Sequence, residues 1–105
     1  MRWFLVLRHM TRPFADWQDR LGQHLEWLHA QHARGAIVIS GPSADRRLGL
    51  YVMRAPSREE AAATAAQDPL AREDLARIEV IEWDVHQILG AGPFTLDAMR
   101  AAEHH

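Results

Sequence analysis

The chain has 105 residues, a formal net charge of −2 and no cysteine. This length predicts a single domain, and the nearly balanced charge gives no electrostatic support for a nucleic acid or an anionic membrane as the partner. The lack of cysteine excludes disulfides, thiolate catalysis and cysteine-ligated zinc. The N-terminal apolar run, WFLVL, is too short for a signal or membrane segment and is followed by Arg8. We therefore predict a cytoplasmic protein.

The first part of the chain predicts a strand followed by a long amphipathic helix. Residues 2–9 are bulky and apolar on both alternating faces, which is typical of a buried strand. In residues 16–34 the apolar side chains recur at helical spacing and form one stripe. The members of this stripe are Phe14, Trp17, Leu21, Leu25, Leu28 and His32. Asp16 is predicted to cap the helix and Gly35 to end it.

The rest of the chain predicts three more strands and a second helix. Three apolar runs are assigned to strands, at residues 36–40, 48–54 and 76–86. Turn residues join the first two of these runs, which predicts a hairpin. Ser57 and Glu60 have the spacing of a capping box, which predicts a helix up to about Gln67. Asp68 precedes a proline and interrupts that helix, and one further helical turn is predicted over residues 70–75.

The resulting order, βαββαβ, predicts a ferredoxin-like α+β fold, with two helices on one face of a four-stranded antiparallel sheet. The other face is too apolar for contact with water. We therefore predict a homodimer in which two sheets pack face to face, the dimeric α/β-barrel arrangement. Residues 1–88 form this domain, and residues 89–105 are a C-terminal extension that either clasps the partner subunit or packs on its own sheet. The final His104 and His105 resemble the start of a purification tag.

His24 is the residue of the helix that calls for a specific explanation. An imidazole that faces a core must be hydrogen-bonded or line a cavity, because a buried unpaired polar group costs about 1–3 kcal/mol. One interpretation is a core histidine satisfied by its neighbours, and the other is a functional residue. The remaining histidines do not predict a metal site, since His29 and His32 lack a third ligand. We expect neither a metal nor a cofactor.

Three short segments resemble the YCII-like family. They are RLGQHLEWL at residues 20–28, the Gly41-Pro42 turn after the second strand, and the Asp68-Pro69 pair that ends the second helix. The resemblance spans residues 2–86 and implies a dimeric α/β-barrel whose pocket holds a histidine–aspartate pair, here His24 and Asp68. In such a pair the carboxylate fixes the imidazole tautomer and stabilises its protonated form. From spacing alone, Asp68 is also explained as a helix-stop residue before proline.

From this resemblance we predict a small enzyme that uses His24 and Asp68 for acid–base chemistry on an unknown small molecule. The expected substrate is a small organic acid, lactone or enol, and the expected reaction is of lyase, isomerase or hydrolase type. Gly41 and Pro42 would shape the pocket. Arg46 would bind a substrate anion, since arginine pairs with carboxylates in a bidentate manner, although a solvated loop also explains it.

Two alternatives to this enzyme stay open. A non-catalytic ligand-binding or interaction module on the same barrel predicts either that His24 has no carboxylate partner or that the pocket is too small for a ligand. A haem-type or cofactor-free monooxygenase on a related barrel requires an open cavity between helix and sheet, ringed by histidine or aromatic side chains.

Overall fold

The computed structural model describes residues 1–87, and the predicted C-terminal extension therefore lies outside the described residues. The strands and helices have these bounds: β1 Arg2–Met10, α1 Leu21–Ala33, β2 Ile37–Pro42, β3 Leu48–Ala55, α2 Arg58–Ala65, α3 Pro69–Arg72 and β4 Ala76–Glu82. Two short 3₁₀ turns, Phe14–Asp16 and Gln18–Arg20, precede α1. Over residues 1–87, every helix falls short of the length and apolar character that a membrane span requires.

The four strands form one antiparallel sheet in the order β2-β3-β1-β4. The central strand β1 pairs with β3 on one side, where Val6 lies opposite Tyr51, and with β4 on the other, where Val6 lies opposite Val80. The helix α1 packs beside β2, and α2 packs over β3 and β4. The predicted α+β, ferredoxin-like fold is confirmed.

The core lies between the helices and one face of the sheet. Phe4 and Val6 of β1 are 0% exposed, and Tyr51 and Met53 of β3 are 2% and 1% exposed. These residues alternate along their strands, as expected for side chains that share one face. The helix α2 presents small side chains such as Ala61 to this cluster, so its backbone can lie close to the sheet. Any polar group in this tightly packed layer therefore needs a protein partner or a cavity.

The predicted start of the first helix is wrong. The helix α1 begins at Leu21, after the two 3₁₀ turns, and Asp16 does not cap it, because the residue at its N-terminus is Arg20 without a capping side chain. Trp17, between the turns, has φ −134° and ψ 6°, which is not helical backbone. The backbone at Trp17 therefore interrupts the helix that was predicted to start at residue 16.

Much of the apolar stripe of this helix lies outside the core, although Leu28 packs against the core cluster. Phe14 is 51% exposed and Leu25 is 45% exposed, whereas the buried residues of α1 are His24 and Gln31. Periodicity identified a helix with an apolar face, but it could not distinguish a face against the core from one that lines a cavity. Here the stripe borders the cavity described below.

Other predicted boundaries differ by a few residues. β2 continues through Gly41 and Pro42, which pair with Leu50 and Gly49, so these two residues belong to a strand rather than to the predicted loop. A proline is tolerated there because β2 is an edge strand. The predicted strand over residues 76–86 ends at residue 82, and the turn predicted over 70–75 is α3. The predicted cap of α2 is confirmed, since the hydroxyl of Ser57 accepts a hydrogen bond from a backbone N–H in the first turn at 3.2 Å.

The opposite face of the sheet carries a row of apolar residues across all four strands. Pairing places Ile39, Val52, Leu5 and Ile81 side by side. Ile39 is 64% exposed and Ile81 is 40% exposed. Within residues 1–87 the helices lie on the other face, so this row, which we call the open-face row, contacts solvent.

Candidate active site

His24 and Asp68 are joined by a buried hydrogen bond. The His24 Nδ1 atom lies 2.8 Å from the Asp68 Oδ1 atom, and the two residues are 4% and 0% exposed. α1 carries the histidine, and the short connection between α2 and α3 carries the aspartate. The fold therefore brings together two residues that are 44 positions apart in the sequence.

Local structure explains why Asp68 points into the protein. It is the N-cap residue of α3, and Pro69 occupies the first turn, where its fixed φ suits a helix start. The Oδ1 atom accepts a hydrogen bond from the Leu70 N–H at 3.1 Å in addition to the bond with His24. The Oδ2 atom accepts from Nη1 of Arg8 at 3.4 Å. Three donors therefore surround one fully buried carboxylate.

This arrangement orients the His24 ring. Because a carboxylate is an acceptor, the neutral imidazole must carry its proton on Nδ1, and Nε2 then keeps a free lone pair. His24 lines a cavity, and Nε2 has no hydrogen-bond partner among residues 1–87. An oriented imidazole with one nitrogen open to a cavity can take up or deliver a proton there.

Arg8 is a third member of the buried group, and it was not among the predicted site residues. It continues the core-facing alternation of Phe4 and Val6 on β1, and it is 9% exposed. Burial lowers the pKa of its guanidinium, and the adjacent Asp68 carboxylate opposes that shift. The sequence did hold a signal for Arg8, which is a charged residue at a position that alternation along β1 assigns to the core. Buried charges are nearly always paired, so such a residue indicates a buried partner.

Gly49 provides the space for the Arg8 side chain. The two residues are paired across β1 and β3, and a Cβ atom built on Gly49 would overlap the guanidinium.

We expect Gly49→Ala to displace Arg8 from Asp68 and to lower the free energy of unfolding by about 1–3 kcal/mol. Denaturant unfolding measures this loss. Gly41→Ala is the matched control, since its added Cβ meets no atom within 4 Å, and equal effects of the two substitutions would contradict the account.

The cavity beside His24 has a volume of about 770 Å³, within the range of small-molecule sites. It lies between the start of α1 and the adjoining ends of β1, β2 and β3. One wall is apolar and is formed by Phe14 and Trp17, which precede α1, and by Leu21, Leu25 and Leu28 of α1. The cavity is thus large enough for a ring-sized organic ligand.

The three residues predicted to bind substrate, Gly41, Pro42 and Arg46, all line this cavity together with His24. Arg46 has φ 65°, which is a left-handed conformation that few non-glycine residues adopt. Its loop is held by Asp45, whose Oδ1 atom accepts from the Ser43 hydroxyl at 2.7 Å and from a backbone N–H at 3.0 Å. These bonds lower the pKa of Asp45. The substrate-binding roles stay predictions.

Tyr51 is another cavity residue that was not predicted. It is 2% exposed, and its hydroxyl is buried without a partner among residues 1–87. Burial raises its pKa strongly, the Asp68 charge raises it further, and Arg8 acts in the opposite direction. The ring centroids of Tyr51 and Trp27 lie 6.0 Å apart, and Trp17 lines the cavity.

Two other described histidines have side-chain partners outside the cavity pair. His32 Nε2 lies 2.9 Å from the Ser40 hydroxyl, and His9 Nε2 lies 2.9 Å from a Glu79 carboxylate oxygen. In the part of the chain up to residue 87, no group of three histidine or acidic side chains has an arrangement suited to a metal ion.

The fold and this site define a class of small α+β domains, in which an oriented imidazole opens into a cavity between helix and sheet. The chain belongs to the YCII-related domain family, which matches residues 1–84. It is 32% identical over 80 residues to the protein described as uncharacterized protein YjpA from Bacillus subtilis (strain 168). The aligned region covers 76% of this chain and 92% of YjpA.

A solved structure shares the fold. It is 5-chloro-2-hydroxyhydroquinone dehydrochlorinase (TftG) from Burkholderia phenoliruptrix AC1100 in complex with 2,5-dihydroxybenzoquinone. The TM-score is 0.66 at 24% sequence identity, over 78% of this chain and 93% of that chain. At this identity the similarity shows the fold.

Proposed function

We propose that this protein is a small enzyme that uses His24 and Asp68 for acid–base chemistry on a small organic acid, lactone or enol. The reaction would be of lyase, isomerase or hydrolase type. The observation that carries the proposal is the 2.8 Å bond between His24 Nδ1 and Asp68 Oδ1 beside the cavity. His24 would act as general base or acid through Nε2, and Asp68 would hold the ring in the required tautomer.

The character of the cavity supports a small, partly apolar and acidic substrate. Its apolar wall suits a carbon ring or short chain, and Arg46 at its edge would bind a carboxylate or another anionic group. Gly41 and Pro42 would shape the side of the cavity next to β2. TftG, of similar fold, is named a dehydrochlorinase of a chlorinated hydroxyhydroquinone, a ring compound with ionisable hydroxyls.

The same observations favour this function over the two alternatives. A binding module was expected to leave His24 without a carboxylate partner or to have too small a pocket, and neither expectation matches the geometry. The cavity also meets the requirement of a monooxygenase for an opening lined by histidine and aromatic side chains such as Trp17, but that reaction does not require a bond between His24 and Asp68. The bond is the feature that acid–base chemistry needs.

The proposal is tested by replacing His24 and following proton abstraction directly. Candidate acids, lactones and enols are incubated with the protein in D₂O, and loss of their exchangeable C–H signals is followed by ¹H NMR. We expect His24→Gln to slow the exchange or turnover by about 10²–10⁴-fold, the usual contribution of a general acid or base. His29→Gln is the matched control, since His29 is an exposed histidine of the same helix. Equal rates for His24→Gln and the native protein would exclude the mechanism.

We also propose that the protein is a homodimer that buries the open-face row between two copies of the sheet. Ile39 and Ile81 are exposed, and with Val52 and Leu5 they make a continuous apolar band across the sheet. A second copy presents the same band, so a two-fold axis through the face would bring apolar surface against apolar surface.

A further inference from the structure

Arg8 and Tyr51 carry buried hydrogen-bond donors that the His24–Asp68 pair does not use. Arg8 Nε and Tyr51 Oη are both buried without a partner among residues 1–87. A guanidinium has five N–H donors, and within residues 1–87 that of Arg8 makes one bond, of 3.4 Å, to Asp68. Unpaired buried donors cost about 1–3 kcal/mol each. Two such donors beside one cavity therefore indicate a ligand group that satisfies them.

The fold places the residues that carry these donors in the lining of the cavity that His24 also borders. Arg8 and His24 bind the two oxygens of the same Asp68 carboxylate, so the guanidinium and the imidazole belong to one buried cluster. Tyr51 lies two residues along β3 from Gly49, which is the partner of Arg8 across the sheet. Arg8, Tyr51 and His24 all line the cavity. The residues that line the cavity thus combine one proton acceptor with two kinds of donor.

We propose that Arg8 and Tyr51 form an oxyanion subsite that binds the ionising hydroxyl of an enol or a phenol beside His24. The hydroxyl O–H bond breaks, its proton forms an N–H bond at His24 Nε2, and the electron pair stays on the ligand oxygen. Arg8 and the Tyr51 hydroxyl then donate hydrogen bonds to that oxygen, and such charge-assisted bonds are stronger than neutral ones. A carboxylate has no proton to give to His24, so it suits the arginine at the cavity edge better.

This inference rests on the proposed function, because it assumes the same cavity and the same base, but its test is binding and needs no turnover. The probe is 4-nitrophenol, titrated into the full chain by calorimetry and by the absorbance of its ionised form. We expect it to bind as the anion and 4-nitroanisole, its methyl ether, to bind more weakly. Tyr51→Phe is expected to weaken 4-nitrophenol binding about tenfold or more and to leave 4-nitroanisole binding unchanged.

Stability separates this role from a structural one. Removing a buried unpaired hydroxyl while keeping the ring is expected to leave the melting temperature of Tyr51→Phe unchanged or higher. Arg8→Lys keeps the charge beside Asp68 but loses the guanidinium donors, and we expect it to weaken 4-nitrophenol binding as well. Ser40→Ala is the matched control, because it removes a cavity hydroxyl that already pairs with His32. Its affinity for the probe should stay within about twofold of the native value.

The chain contains one tyrosine, so the ¹³Cζ resonance of Tyr51 reports directly on its hydroxyl. We expect this resonance to shift when 4-nitrophenol binds and not when 4-nitroanisole binds. No binding of 4-nitrophenol at millimolar concentration, or equal affinity in the native protein and Tyr51→Phe, overturns the subsite. Neither result changes the outcome expected for the exchange experiment with His24→Gln, which tests the proposed function separately. Conversely, a Tyr51 effect on binding together with unchanged exchange in His24→Gln would refute the enzyme proposal and leave the subsite in place.

Discussion

Replacing Asp68 with asparagine is expected to lower the free energy of unfolding by about 3–5 kcal/mol, the typical result of removing one partner of a buried ion pair. Asparagine has nearly the same shape, but its amide offers N–H groups where Arg8 needs an acceptor. The charge of Arg8, which is 9% exposed, would be left without compensation. The His24 ring would also lose the acceptor that fixes its tautomer.

The loss is measured by urea unfolding followed by circular dichroism, with the slope checked for two-state behaviour. Asp19→Asn serves as the control, since Asp19 pairs with Arg20 at the surface, where such bonds contribute about 0–1 kcal/mol. The double variant Asp68→Leu with Arg8→Met should recover much of the stability, because it removes both buried charges together. If Asp68→Asn lowers the free energy of unfolding by less than about 1 kcal/mol, the Asp68 carboxylate does not stabilise the buried charge of Arg8 as argued.

The second large effect is expected at the open-face row. Ile81→Glu should raise the dissociation constant of the proposed homodimer by at least about 100-fold, because two-fold symmetry places two carboxylates in an apolar interface. Ile81 is 40% exposed, so a single subunit should tolerate the charge and stay folded. Sedimentation equilibrium over a micromolar concentration range gives the dissociation constants.

The matched control introduces the same glutamate on the side of the sheet that the helices cover. Leu25 is 45% exposed and lines the cavity, so Leu25→Glu introduces the same charge away from the open face and should leave the dimer intact. Circular dichroism confirms that both variants are folded. A native protein that is monomeric throughout the concentration range would refute the dimer proposal, and so would an Ile81→Glu variant that dimerises as tightly as the native chain.

The sequence allowed the fold to be predicted because its strands and helices have strong local signals. The alternation of Phe4 and Val6 in a bulky apolar run marks β1, and the Ser57 hydroxyl caps α2 as its spacing indicated. A βαββαβ order leaves few ways to build one antiparallel sheet. The pairing of His24 with Asp68, by contrast, was expected from resemblance to a family, since nothing in their separate neighbourhoods links two residues so far apart.

The tertiary structure decided which residues surround the His24–Asp68 pair. Arg8 and Tyr51 belong to strands whose pairing puts them beneath the cavity, and Gly49 matters because it lies opposite Arg8 in that register. Such relations join positions about 40 residues apart, and local propensity carries no information about them.

The sequence by itself determined the strand and helix types, their order and the antiparallel α+β architecture, because backbone preference and apolar periodicity act over a few neighbouring residues. Only the tertiary structure decided that the apolar stripe of α1 borders a cavity while His24 points to the interior. It also decided that one carboxylate would be shared between a histidine and an arginine. These features depend on which surfaces meet, and a buried charge becomes tolerable only when its partners arrive from other elements.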